Sequence, residues 1–94
     1  MHAARPILIV DDDPALRATL VEQLAMDGEF TPHEAATAGE AEAMLVAREP
    51  RCDAVLLDIG LPDGDGRELC ARLRKGGLRI PIIMLTGADT EADI

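Results

Sequence analysis

The chain has 94 residues, 48% of them apolar but only one aromatic, Phe30, and it carries a formal net charge of −9. That length holds one small domain, read here as 1–94, and the apolar share suffices for an aliphatic core, which excludes a disordered chain. Eighteen acidic against nine basic residues argue against a direct nucleic-acid or membrane partner and favour a cation or a basic protein patch.

Cys52 and Cys70 have neither a CxxC nor a histidine at ligand spacing, so reduced thiols are expected in place of zinc or a disulfide. The N-terminal MHAARP lacks the long apolar stretch of a signal peptide, and the run after it is too short to span a bilayer. A cytoplasmic chain is expected.

In chain order, residues 7–10 (ILIV) come first, an unbroken apolar run suited to a parallel strand covered on both faces. Asp13 caps and Pro14 opens a helix whose Leu16, Leu20 and Leu24 share one face, and Gly28 stops it. Residues 30–35 (FTPHEA) read as a weaker strand, placed at a sheet edge because Pro32 has no amide to donate. Thr37 and Glu40 form a capping box before Ala41 and Leu45, and this second helix ends before Pro50. Residues 54–57 (AVLL) are another buried strand. The LPDGDG that follows reads as a tight turn in which Gly64 and Gly66 relieve strain. It fails as a calcium loop, since Leu61 and Arg72 stand where Asp and Glu are needed. A third helix starts near Gly66, buries Leu69, Cys70 and Leu73, and stops at Gly76-Gly77. Residues 82–85 (IIML) are the last buried run, and a fourth helix is expected from Asp89.

Alternating strands and helices imply a parallel sheet with right-handed crossovers, whose ligands bind beyond the carboxyl ends of the strands. Those ends carry Asp11 and Asp12, then Asp58, then Thr86. Alone, each has a bland reading as a cap, a solvated charge or a strand-end hydroxyl. Together they make one oxygen-rich rim suited to a hard cation, and Mg2+ fits best because it accepts a few carboxylates and keeps waters for a phosphate to replace.

The segments ILIVDDDPALR, DAVLLDIGLPDGDG and IPIIMLTGAD resemble the receiver domain of two-component response regulators, in the right order and spacing along the whole chain. The resemblance implies a flavodoxin-like, doubly wound α/β fold with strand order 2-1-3-4. It implies Asp58 as phosphoacceptor, Asp12 as direct Mg2+ ligand, Asp11 acting partly through water, and the Gly60 carbonyl completing the metal shell. Thr86 matches the switch hydroxyl and Gly87 the small residue that leaves room for phosphoryl oxygens. The donor it implies is a phosphohistidine on a sensor histidine kinase or phosphotransfer protein, and the role is signalling, not that of an enzyme. The family also has a fifth strand, ending in a lysine, and a further helix. About 30 more residues would be needed for them, and no lysine follows Lys75, so both elements are expected to be missing. The fourth strand would then be an open edge, and self-association along it is expected.

Two rivals belong to other classes. A phosphotransferase of the haloacid-dehalogenase type would use Asp11 as nucleophile, but the chain is short for it and lacks the later acidic pair. A receiver fold used only for docking would need no phosphorylation.

Overall fold

A computed structural model of the chain describes residues 4–85 and the backbone of residues 90–93. The elements are β1 (Arg5–Val10), α1 (Pro14–Ala25), β2 (Phe30–Ala35), α2 (Ala38–Ala47), β3 (Ala54–Asp58), β4 (Gly60–Leu61), β5 (Gly64–Asp65), α3 (Gly66–Lys75), β6 (Ile82–Leu85) and β7 (Thr90–Asp93). The main sheet has the order β2-β1-β3-β6-β7, parallel from β2 through β6. This is the flavodoxin-like α/β arrangement. β2 lies at the edge, where Pro32 costs no ladder bond on an outer neighbour.

Strand alternation splits the apolar runs between two faces. Leu8, Val10, Val55, Leu57 and Ile82 face α2 and α3 and pack with Ala41, Leu45, Leu69, Cys70 and Leu73 in one buried cluster. Each such large side chain contributes about 1.5–3 kcal/mol when buried. Ile7 and Ile9 point to the opposite face, which α1 covers along β1 and β2. Both cysteines are buried and unbridged.

Two expectations need correction, and α1 is covered less than its apolar stripe would allow. α1 has the expected Asp13 cap, with its carboxylate accepting from the Ala15 and Leu16 amides, but none of its residues is buried and Leu16 is 43% exposed. The Leu16-Leu20-Leu24 stripe meets only a sheet margin, and among the described residues no second helix packs beside it. Residues 90–93 are not the start of a helix: β7 runs antiparallel to β6, pairing Leu85 with Thr90 and Ile82 with Asp93. The free edge of β6 offers amides and carbonyls that residues 90–93 take up as a paired strand. The fifth position in the sheet, expected empty, is therefore filled. The β6 edge expected to bind another copy is taken by β7, so self-association there loses its unpaired edge.

The start of α2 shows how the turn after β3 is tied down. Thr37 Oγ1 accepts from the Glu40 amide at 3.1 Å, and Glu40 Oε1 reaches back to the Ala36 amide at 2.7 Å, one residue earlier than a standard capping box. The two remaining first-turn amides, Ala38 and Gly39, donate to the two carboxylate oxygens of Asp63 at 2.8 and 2.9 Å. Those amides hold the Asp63 carboxyl below its ordinary value, so its stabilisation is present above the unfolded value near 3.8 and is lost as pH falls through the lower folded value. Asp63→Asn should therefore lower the melting temperature at neutral pH, and the deficit should shrink in acid. A thermal melt series over pH checks this, and a deficit that grows on acidification would contradict it.

Candidate functional site

Parallel strands bring their carboxyl ends to one rim, and the acids at those ends meet there. Asp11 follows β1 directly and is 4% exposed, Asp12 is exposed beside it, and Asp58 ends β3 half-buried. One carboxylate oxygen from each lies within 4.8 Å of the others, a grouping that could hold a metal ion. At that spacing a like-charged pair costs about 1 kcal/mol in bulk water and about 3.5 kcal/mol at an effective dielectric of 20.

The local backbone keeps the three acids in place. Asp11 Oδ1 accepts from the Asp13 amide at 2.9 Å, so the chain turns sharply after β1 and Asp13 is free to cap α1. Arg17 on the first turns of α1 donates to the Asp11 carbonyl at 2.6 Å and to Glu34 on β2 at 3.0 Å. The Gly60 amide donates to Asp58 Oδ1 at 3.1 Å, which orients that carboxylate. Burial pushes the Asp58 carboxyl up; the Gly60 hydrogen bond opposes this, while the charges of Asp11 and Asp12 and a hydrogen bond with Asp12 add to it. The site thus holds a carboxylate that is costly to ionise without a counter-charge.

Behind Asp58, β4 and β5 form a short antiparallel hairpin that leads straight into α3. Gly66 opens α3, and its amide donates to the Ile59 carbonyl at 2.8 Å. A Cβ on Gly66 would sit 2.5 Å from the Asp58 carbonyl oxygen and 2.9 Å from Ile59 Cα. Gly64 has ordinary room, with the nearest atom at 4.0 Å, and neither glycine needs a positive φ. The expected strain relief is therefore corrected: Gly66 is required by close backbone approach, and Gly64 is not required at all.

Asp11, Asp12 and Asp58 are brought together as expected. Gly60 lies next to Asp58, and a side chain there would meet Asp58 Oδ1 only at 4.0 Å, so residue size at this position is loosely constrained. Thr86, Gly87 and Asp89 lie outside the described residues. Sequence reading missed Arg17, Glu34 and Asp63, because nothing in the local pattern shows which distant group a surface arginine or turn aspartate will meet.

The family model of the response regulator receiver domain matches residues 7–94. Transcriptional regulatory protein AfsQ1 of Streptomyces coelicolor is 37% identical over 89 residues, covering 94% of this chain and 37% of that protein. Response regulator MprA of Mycobacterium ulcerans is 39% identical over 87 residues, covering 93% and 36%. This chain thus spans little more than a third of the length of those relatives. Among solved structures, response regulator TrrA of Thermotoga maritima in complex with Mg2+ and beryllium fluoride superposes with a TM-score of 0.81 at 33% identity, covering 90% of this chain and 71% of that one. The MaeR response regulator bound to beryllium trifluoride gives 0.81 at 34% identity, covering 90% and 69%. The chain belongs to the response regulator receiver domain family, the signalling domains of two-component systems.

Proposed function

We propose that residues 1–94 act as a phosphoacceptor, taking a phosphoryl group onto Asp58 from the phosphohistidine of a sensor histidine kinase or phosphotransfer protein. The observation that carries this reading is the meeting of Asp11, Asp12 and Asp58 within 4.8 Å, with Asp58 ending its strand half-buried. An Asp58 carboxylate oxygen attacks phosphorus, the P–N bond of the donor breaks, and its electron pair returns to the imidazole, which takes up a proton. Asp11, Asp12, Asp58 and the Gly60 carbonyl would hold Mg2+, whose charge offsets the three carboxylates and the transferring oxygens. The donor set of hard oxygens fits that ion, and TrrA was solved with Mg2+ and beryllium fluoride, a phosphoryl mimic. Thr86 and Gly87 follow β6 in sequence, and we assign them the switch hydroxyl and the space beside the phosphoryl oxygens. Among the described residues no helix is long and apolar enough to cross a membrane. A cytoplasmic site of action belongs to this reading, since the phosphohistidine donor is there.

With an acyl phosphate and Mg2+, the protein should gain one base-labile phosphate, mapped to Asp58 by peptide mass analysis. Asp58→Asn should lose the label entirely. Phosphate found on Asp11 would overturn the assignment and favour the dehalogenase-type reading.

A further inference from the structure

Where β3 and β6 begin, at the opposite end of the sheet from Asp58, the connections from α2 and α3 enclose a cleft of about 230 Å3. Leu45, Leu78 and Ile80 give it an apolar wall, and Arg48, Arg51 and Arg79 line the rest. No Asp or Glu lines it, although acids outnumber bases 18 to 9 in the chain. Helix C-termini attract cations, and α2 and α3 both end here, so some basic side chains need no further explanation. Arg74 is such a case: its guanidinium donates to the carbonyls of Leu78 and Ile80 at 3.0 and 2.7 Å. Arg48, Arg51 and Arg79 differ, since none of their guanidinium groups makes a hydrogen bond or ion pair among the described residues. The nearby Cys52 thiol, raised by burial and by Asp53, stays protonated and donates to the Pro50 carbonyl at 3.6 Å, so it adds no negative charge.

We propose that this cleft binds a small amphipathic anion, with a phosphate or carboxylate head on Arg48, Arg51 and Arg79 and an apolar body against Leu45, Leu78 and Ile80. Guanidinium groups present paired N–H donors that match both kinds of oxyanion, and three full charges outweigh the roughly half-charges of the two helix ends. The volume is below the ~300–1,000 Å3 of drug-sized pockets, which limits the body to about one or two rings. The site does not depend on phosphorylation of Asp58, from which β3 separates it by about 16 Å.

The test is a titration of the Mg2+-free protein with 1-naphthyl phosphate, followed by amide NMR. Shifts should centre on Arg51, Cys52, Leu78 and Ile80. Arg51→Gln/Arg79→Gln should weaken binding at least tenfold with an unchanged melting curve, Arg67→Gln should leave it within twofold, and added salt should weaken it. Inorganic phosphate and benzoate, run in parallel, separate the phosphate head from the carboxylate head and from the apolar body. Equal affinity for neutral 1-naphthol, equal affinity in the double variant, or shifts centred elsewhere would each overturn the proposal.

Discussion

Replacing Gly66 by alanine should lower the melting temperature by roughly 10 °C or more and disturb the acidic rim. The added methyl would stand 2.5 Å from the Asp58 carbonyl oxygen and 2.9 Å from Ile59 Cα. Both obstacles are backbone, so no side chain can rotate away, and either the end of β3 or the first turn of α3 must move. Overpacking typically costs 1–3 kcal/mol, and a clash with backbone belongs at the upper end; each kcal/mol shifts the midpoint of a domain this size by about 4–8 °C. The same movement breaks the hydrogen bond from the Gly66 amide to Ile59 and displaces the carboxylate held by Gly60. Gly64→Ala, two residues earlier, meets only ordinary contact and should melt close to the parent. Circular dichroism melts of the two variants decide it, and equal midpoints would show that the tight approach at Gly66 does not constrain the site.

The second large effect concerns charge. At neutral pH and without divalent metal, Asp58→Asn should melt above the parent protein. The sign follows from the raised carboxyl: the folded state holds its proton more tightly than the unfolded chain, whose value lies near 3.8. The penalty is absent below that value, grows as pH rises towards the folded value, and is constant above it. The advantage of the variant should accordingly vanish in acid. Adding Mg2+ should reverse the order. At about one hundred times its dissociation constant, an ion bound only by the folded state adds about 2.7 kcal/mol, which is roughly 10 °C or more here. Asp12→Asn/Asp58→Asn should lose that gain, leaving a melting temperature insensitive to Mg2+. Equal stabilisation of the double variant would place the ion elsewhere.

Much of the molecule was legible in the sequence because it depends on neighbours close along the chain. The buried strands announce themselves as unbroken runs such as ILIV at residues 7–10, since both faces of a parallel sheet are covered. Asp13, Thr37 and Gly76 mark helix ends because a cap acts within a few residues of itself. The acidic rim was legible for a related reason: once the strands are parallel, Asp11, Asp12 and Asp58 must share one end of the sheet, however far apart they lie in sequence. Other features were decided only by the packed structure. Asp63 caps a helix 24 and 25 residues away, and Arg17 joins Asp11 to Glu34 across two elements. Gly66 must be glycine because β3 passes against it. The 90–93 segment became a strand because β6 offered a hydrogen-bonding edge, and α1 stayed half-exposed because its stripe met only part of a sheet face. Local propensity determines which element can form; which partner it meets depends on the distances that folding itself creates.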